Sequence, residues 1–309
     1  MHILIADDDN VSRHLLKATL ASWGYEVSVC TTGAEAWDAL QQNGAPQLAI
    51  LDWEMPDLQG PDVCRRLRER AGDRYTYVIL LTGRTDKDDL ITGMNAGADD
   101  YLTKPFDAHE LKVRLRAGTR VLDLQNELIT TRETLRIQAT RDSLTGLMNR
   151  RAIIETMTAE LHRVRRESRP MGVAILDLDS FKRINDTYGH AAGDAVLVEA
   201  SRRMQSSLRP YDEIGRTGGE EFLILAAGCD LRCAAGVAER VRAALSSAPM
   251  HVKTGTFSIT CSAGVASTAE HPDRDVEWLI RAADAALYRA KAAGRNAVRE
   301  ATSLDGHEV

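Results

Sequence analysis

"HILIADDDN", residues 2–10, shows the pattern that the first half of the chain repeats. Its apolar residues predict a short buried strand, and Asp7, Asp8 and Asp9 follow where that strand ends. "VSRHLLKATLASWG", residues 11–24, continues as an amphipathic helix that ends at Gly24. The same alternation returns with the strands "EVSVCT", "LAILDW", "YVILLTG" and "DDYLTKP". Strand–helix alternation at this period predicts a doubly wound parallel sheet in an α/β fold.

Charge is distributed unevenly over the 309 residues. Residues 1–106 hold 17 acidic and 10 basic side chains, a net charge of −7, and residues 107–309 hold 28 and 29, a net charge of +1. This balance argues against nucleic acid as a partner and suits carboxylates gathered around a cation. No apolar run approaches the roughly 20 residues that cross a membrane, and no signal peptide is visible, so no membrane partner is expected.

The five cysteines have no CxxC spacing, which argues against a zinc site and favours a reducing, cytoplasmic location. We expect Cys229 and Cys233, at helical spacing, to be ordinary thiols.

Residues 107–142 contain no proline and one glycine, and they predict a helix of about 50 Å that begins at an Asp107–Glu110 capping box. Two apolar stripes repeat every seven residues, one position out of phase. The pattern favours a coiled-coil linker over residues 107–140, with a register shift near Gly118. The alternative is a helix packed on its own domain. The stripes are Leu115/Leu122/Ile129 and Val121/Leu128/Leu135.

The remainder of the chain has the pattern of an α+β domain. "MGVAILDLDS", "EEFLILAAG" and "TFSITCSAGVAS" predict strands, and "DVEWLIRAADAALYRAKAAGRN" predicts an amphipathic helix capped by Gly294.

Polar residues follow the predicted parallel strands at the edge where function gathers in such sheets. Asp7 and Asp8 follow the first strand, and Asp52 follows the third. Carboxylates crowded there repel one another unless a divalent cation lies among them, and oxygen ligands favour Mg²⁺, with Mn²⁺ as the alternative. Thr82 and Lys104 end the next strands and suit phosphoryl oxygens.

"ILIADDD", "LAILDWEMPDLQG", "LLTG" and "GADDYLTKPF" resemble the flavodoxin-like receiver domain of two-component response regulators, over residues 1–120. The resemblance implies that Asp52 is phosphorylated by a cognate histidine kinase or phosphotransfer protein. It also implies Mg²⁺ ligands, phosphoryl contacts and an aromatic switch residue. The implied Mg²⁺ ligands are Asp7, Asp8, Asp52 and the Glu54 carbonyl. The implied phosphoryl contacts are Thr82 and Lys104, and the implied switch residue is Tyr101. The alternative is an inactive receiver-like fold.

"RTGGEEF", residues 216–222, places two glycines beside two glutamates before the apolar run "FLILAA". The glycines permit a tight hairpin turn and close approach of a polyphosphate to the backbone. Asp177, at another strand end, and Glu220 can together ligate one or two Mg²⁺ ions, an arrangement suited to displacement at phosphorus.

This stretch, with "DSLTGLMNRR" and "ALYRAKAAGRN", resembles the palm-like GGDEF domain of diguanylate cyclases in its GGEEF form, over residues 141–303. The resemblance implies metal ligands, phosphate contacts and guanine contacts, with Glu220 or Glu221 as proton acceptor. The implied metal ligands are Asp177, the Leu178 carbonyl and Glu220. The implied phosphate contacts are Lys182, Lys291 and Arg295, and the implied guanine contacts are Asn185 and Asp194.

"RPYD", residues 209–212, has the Arg-x-x-Asp form of the product-inhibition site of that family. The resemblance implies that Arg209 and Asp212, with Arg240, bind cyclic di-GMP. A surface ion pair is the alternative.

The sequence therefore predicts a homodimeric diguanylate cyclase, regulated by phosphorylation, that converts two GTP to cyclic di-GMP and two pyrophosphates. The alternatives are a nucleotide sensor without turnover, a DNA-binding regulator and a cyclase of mixed adenine–guanine products.

Overall fold

The structure is a computed structural model that describes residues 1–70, 75–83, 87–253, 255–269 and 271–302, with only the backbone at 87–90. The chain divides into two compact units, Met1–Glu133 and Thr134–Val309. The predicted domain bounds at 120 and 141 stay predictions, and the predicted end at 303 lies outside the described residues.

The first unit is built on a five-stranded parallel sheet in the order β2-β1-β3-β4-β5. Apolar side chains fill both faces of the sheet, as the continuous apolar runs of the sequence predict for a sheet covered by helices. The predicted parallel sheet is confirmed. The strands are β1 (His2–Ala6), β2 (Glu26–Cys30), β3 (Leu48–Asp52), β4 (Tyr77–Thr82) and β5 (Asp100–Thr103). The helices are α1 (Asn10–Ser22), α2 (Gly33–Gln41), α3 (Gly60–Glu69), α4 (Lys87–Asn95) and α5 (Ala108–Thr140).

Helix α5 confirms the predicted long helix, and Asp107 caps it by accepting hydrogen bonds from the backbone N–H groups of His109 and Glu110 at 2.8 and 2.9 Å. Its first half belongs to the core of the first unit, where Leu115 and Leu122 are buried. At these two positions the helix packs on its own domain, which was the alternative to a coiled coil.

Gly118 packs closely, because a Cβ there would lie 2.7 Å from the Tyr77 ring. The register shift predicted near it stays a prediction. Other apolar residues of α5 are not buried in the core and remain exposed. They include Val121, Leu124, Leu128 and Leu135.

The second unit contains a six-stranded mixed sheet in the order β13-β12-β7-β9-β8-β6 and a small β10–β11 hairpin. One apolar layer lies under α8 and α9, and the other lies under α6 and α10. The strands are β6 (Met148–Asn149), β7 (Met171–Leu178), β8 (Glu213–Gly218), β9 (Glu221–Ala227), β10 (Met250–Val252), β11 (Gly255–Phe257), β12 (Cys261–Ser267) and β13 (Val298–Glu300). The helices are α6 (Arg150–Glu167), α7 (Phe181–Tyr188), α8 (His190–Ser207), α9 (Leu231–Ser246) and α10 (Val276–Ala292).

Two predictions for this unit need correction. The segment "TFSITCSAGVAS" was expected to form one strand but forms parts of two, β11 and β12, because Thr260 between them turns its carbonyl and hydroxyl to Asp179. Cys229 and Cys233 are joined by a disulfide and are not free thiols.

Candidate functional site

An acidic cluster lies at the carboxyl edge of the first sheet, where β1 and β3 are neighbours. Asp7, Asp8 and Asp52 each offer a carboxylate oxygen within 4.8 Å of the others. Asp7 and Asp52 are buried, and Asp8 is exposed. This all-oxygen set of donors fits Mg²⁺ or Mn²⁺ and offers no soft ligand for zinc.

Lys104 reaches into this cluster from the end of β5. Its Nζ donates to Asp52 Oδ2 at 2.6 Å and lies 2.9 Å from Asp7 Oδ2. Burial raises the pKa of Asp52, and the hydrogen bond from Lys104 opposes that rise. Burial lowers the pKa of Lys104, but hydrogen bonds to both carboxylates raise it above its ordinary value. The ammonium therefore stays charged and holds the two aspartates together.

The alignment of Asp7 is fixed independently of Lys104. The Ser12 hydroxyl donates to Asp7 Oδ2 at 2.6 Å, and the Asp9 N–H donates to Asp7 Oδ1 at 2.9 Å. Asp9 in turn caps α1 by accepting from the Ser12 N–H at 2.8 Å. The third aspartate of the run is thus a helix cap.

The remaining residues predicted for this site lie on or directly after strands β3, β4 and β5. Thr82 is buried at the end of β4, on the strand next to Asp52. Tyr101 is half-buried on β5, and the Arg114 guanidinium lies 5.6 Å from its ring centroid. Arg114 belongs to α5 and also pairs with Asp100 at 2.5 Å. Glu54 follows β3 and has an exposed side chain.

The second site is centred on Asp177, near the end of β7. Its register partners are Glu221 on β9 and Ser262 on β12, and Lys291 Nζ lies 2.7 Å from Asp177 Oδ2. The Leu178 N–H donates to the Glu220 carbonyl at 3.2 Å, which holds the signature turn against the strand end. The structure thus brings together a carboxylate pair and a cation that lie far apart in sequence.

Glu220 and Asp177 are close enough to influence each other. Burial and the Asp177 charge raise the pKa of Glu220, and Lys291 opposes that rise. Two carboxylates under mutual repulsion, facing one ammonium, can accept a divalent cation at little cost. The donor set again consists of oxygen atoms and fits Mg²⁺.

The two glycines of "RTGGEEF" make the hairpin between β8 and β9, with φ of 155° at Gly218 and 50° at Gly219. Arg216 locks this turn. Its Nε and one terminal nitrogen donate to the Gly219 carbonyl at 2.9 and 2.7 Å, and its other nitrogen lies 3.1 Å from Asp142 Oδ1. The sequence pattern did not indicate this pair, although Arg216 lies in "RTGGEEF" and Asp142 lies in "DSLTGLMNRR".

The residues predicted to contact guanine lie on α7 and α8. Gly193 packs on the Asn185 amide so closely that a Cβ would lie 1.9 Å from Asn185 Oδ1, which brings Asn185 beside the backbone of Asp194. Asp194 and Lys182 are exposed. Asn185 and Asp194 thus border a surface that is open to a ligand.

Asp179 is a further residue of this region to which the sequence analysis gave no role. It is buried and ties together the ends of β7, β12 and the turn after α10. A cavity of about 370 Å³ opens there, and its lining includes Arg183 and Arg295.

The "RPYD" residues form a separate cluster. Asp212 is buried; its Oδ2 accepts from the Arg209 N–H at 3.1 Å and lies 3.8 Å from the Arg240 guanidinium. Arg240 also donates to the Ser207 carbonyl at 2.6 Å, and the Arg209 guanidinium lies 5.9 Å from the Tyr211 ring centroid. Asp212 Oδ1 is buried with no hydrogen-bond partner among the described residues.

A receiver-type sheet with an aspartate–lysine cluster, followed by an α+β unit with a carboxylate hairpin, is the architecture of a response regulator with an output domain. Residues 139–297 match the family model described as diguanylate cyclase, GGDEF domain, and residues 3–116 match the response regulator receiver domain. The chain belongs to the GGDEF family and carries a receiver domain.

Known proteins resemble the chain over both parts. Response regulator PleD of Caulobacter vibrioides is 32% identical over 302 residues, which are 96% of this chain and 65% of PleD. Diguanylate cyclase DgcP of Pseudomonas aeruginosa is 40% identical over 215 residues, which are 68% of this chain and 32% of DgcP. This chain therefore spans less than two thirds of the length of either relative.

A solved structure of the coiled coil and GGDEF domain of DgcB from Caulobacter crescentus, in complex with c-di-GMP, aligns with a TM-score of 0.55 and 30% identity. The match covers 62% of this chain and 99% of that one. Across the part of this chain that the structure describes, every helix is too short or too polar to cross a membrane.

Proposed function

We propose that this protein is a diguanylate cyclase whose activity is controlled by phosphorylation of its receiver domain. Two molecules of GTP would be converted to cyclic di-GMP and two pyrophosphates. The observation that carries the proposal is the cluster of Asp177, Glu220 and Lys291 around the glycine hairpin. It combines oxygen ligands for a cation with an ammonium for phosphate.

Asp177, Glu220 and the Leu178 carbonyl are the proposed ligands of Mg²⁺, which when bound supplies charge neutralisation at the phosphates of GTP. Lys291, which pairs with Asp177, would turn to phosphate when GTP binds. Lys182, on the first turn of α7, adds a second ammonium.

The guanine base is read by Asn185 and Asp194. A carboxylate accepts hydrogen bonds from N1–H and the 2-amino group of guanine, which adenine does not offer. The proximity of Asn185 to the Gly193–Asp194 backbone supports this pairing, because both side chains can then reach one base edge.

The reaction joins two nucleotides held by two cyclase domains. The 3′-oxygen of one GTP attacks the α-phosphorus of the other, its proton passes to Glu220 or Glu221, and the bond to pyrophosphate breaks. The same exchange in the opposite sense closes the ring. Each domain binds one GTP, so the active species is a homodimer.

The exposed stripe on α5 is the proposed dimer contact. Val121, Leu128 and Leu135 recur every seven residues, and Leu124 lies at the intervening position of a heptad. Leu128 is 66% exposed and Leu135 is 58% exposed, so neither is used by the core of its own unit. A second copy of the helix would cover both.

Control by the receiver begins at Asp52. A phosphoryl group there adds roughly two negative charges that attract Lys104 and the Thr82 hydroxyl. Movement of Thr82 frees space for Tyr101 to turn inward. Because the Tyr101 ring lies beside Arg114, such a turn changes a contact made by α5 and thereby biases the pairing of the two helices.

Product inhibition is the proposed role of Arg209, Asp212 and Arg240. The unpartnered Asp212 Oδ1 supports it, because a guanine N–H would supply the missing donor.

The test of the proposed function is turnover by the purified chain with GTP and Mg²⁺, with and without a small phosphoryl donor, and with the products separated by chromatography. Glu220→Ala is the matched variant, since it truncates a proposed ligand at a turn that already tolerates small residues. The proposal predicts cyclic di-GMP and pyrophosphate from the wild type and neither from the variant. Release of inorganic phosphate alone would contradict it.

A further inference from the structure

Two consecutive residues after α10 have a left-handed backbone although neither is glycine. The φ angles are 63° at Arg295 and 46° at Asn296. Such conformations are unfavourable for residues with a Cβ and persist only where neighbouring groups hold them. The turn carries Arg295, the proposed phosphate ligand, so whatever holds the turn also determines where that guanidinium points.

Asp179 holds the turn from the side of the sheet. Its Oδ2 accepts from the Asn296 N–H at 3.0 Å and from the Thr260 hydroxyl at 2.6 Å, and its Oδ1 accepts from the Ser262 hydroxyl at 2.7 Å. Bonds from neutral donors to a buried carboxylate are short and strong. Both oxygens are engaged, so Asp179 differs from Asp177, which faces a cation.

Arg242 holds the same turn from the side of α9. One of its terminal nitrogens donates to Asn296 Oδ1 at 2.5 Å, while the rest of the guanidinium pairs with Glu239 at 2.6 and 2.8 Å. Asn296 is therefore fixed twice, through its backbone by Asp179 and through its side chain by Arg242.

We propose that Asp179 and Arg242 are positioning residues for the terminal phosphates of GTP, acting through the turn that carries Arg295. The inference rests on the proposed function, because it takes Arg295 as a phosphate ligand. Arg295 lines the cavity of about 370 Å³, and in the described parts of the chain its guanidinium makes no hydrogen bond. It is therefore free to bind an anion once the turn holds it there.

The test compares two nucleotides that share guanine but differ in phosphate. The probes are GMP and a GTP analogue with a methylene group between its α- and β-phosphorus atoms, and the measurement is the dissociation constant by calorimetry on the full chain with Mg²⁺. Arg242→Met keeps the aliphatic part of the side chain and removes the donor to Asn296. This variant is expected to lower the affinity for the analogue by about tenfold and the affinity for GMP by less than about twofold.

Arg202→Met is the matched control. Arg202 makes the same pair with Glu199, through Nε and a terminal nitrogen at 2.8 Å each, but among the described residues none of its hydrogen bonds reaches the turn after α10. It is expected to leave both affinities unchanged. Arg242→Lys keeps a donor and is expected to recover part of the lost affinity. Asp179→Asn is expected to match Arg242→Met, and its folding is checked by thermal denaturation.

Equal loss of GMP and analogue affinity in a folded Arg242→Met protein would overturn the inference, since the residue would then be structural. Unchanged affinity for both nucleotides would overturn it as well. The assay is independent of turnover, so a wild type that makes no cyclic di-GMP would refute the proposed function without deciding this inference.

Discussion

Removing Lys104 tests the electrostatics of the receiver site. Its ammonium lies 2.6 Å from Asp52 and 2.9 Å from Asp7, and its side chain is only 24% exposed. Lys104→Met keeps most of the volume and leaves two buried carboxylates without their counter-charge. Breaking a buried ion pair in this way costs about 3–5 kcal/mol, and partial exposure of the lysine reduces that to about 2–3 kcal/mol.

The loss of stability should lower the melting temperature of the receiver transition by roughly 8–12 °C. The measurement is calorimetry of the full chain in the presence of a chelator. With Mg²⁺ in excess the deficit should shrink by about half or more, because a cation bound to the same carboxylates replaces the missing charge. It should also shrink as the pH falls, because without Lys104 the pKa of Asp52 rises further and the carboxyl becomes neutral.

Lys112→Met is the control, because the Lys112 ammonium lies over the Trp23 ring at 5.2 Å and does not belong to the cluster. It should lower the melting temperature by no more than about 2 °C. A Lys104→Met protein that loses no more stability than this control would refute the reasoning. A loss that is the same with chelator and with Mg²⁺ would also refute it.

Three further outcomes are expected. Arg209→Ala should raise the concentration of added cyclic di-GMP needed for half-inhibition by about tenfold or more without lowering the initial rate, and unchanged inhibition would mark "RPYD" as a surface ion pair. Leu128→Glu should shift the chain toward monomer in sedimentation and lower turnover by about tenfold, whereas Val113→Glu, at a position 64% exposed on the same helix, should do neither. Glu220→Gln should raise the melting temperature in a chelator by on the order of 1 °C near neutral pH. The raised pKa of Glu220 makes its ionised form unfavourable in the fold, so the gain should disappear as the pH falls below that pKa.

The sequence was sufficient to predict the parallel sheet and the placement of its polar residues. Strand–helix alternation fixes which strand ends share an edge, so Asp7, Asp52 and Lys104 could be expected to meet there, and the distances in the structure agree. The carboxylate hairpin was predictable for a similar reason, because two glycines before an apolar run indicate a turn into a strand.

Pairings between distant parts of the chain could not be predicted in this way. Arg216 and Asp142 are 74 residues apart, and Asp179 and Asn296 are 117 apart. Nothing in the local pattern links them, since their contact depends on how helices and sheet pack. The burial of Leu115 and Leu122 could not be predicted for the same reason. Their spacing fits a coiled coil, but the nearby core of the first unit buries them instead.

The stoichiometry of GTP turnover tests the proposed cyclase activity in one measurement. Purified chain is incubated with GTP and Mg²⁺, and GTP consumed, cyclic di-GMP and pyrophosphate are quantified together, with Glu220→Ala beside the wild type. The proposed function predicts one cyclic di-GMP and two pyrophosphates for every two GTP, a higher rate after treatment with a phosphoryl donor, and no product from the folded variant. Cyclic di-GMP formation that survives Glu220→Ala unchanged, or GTP binding without any turnover in the wild type, would contradict it.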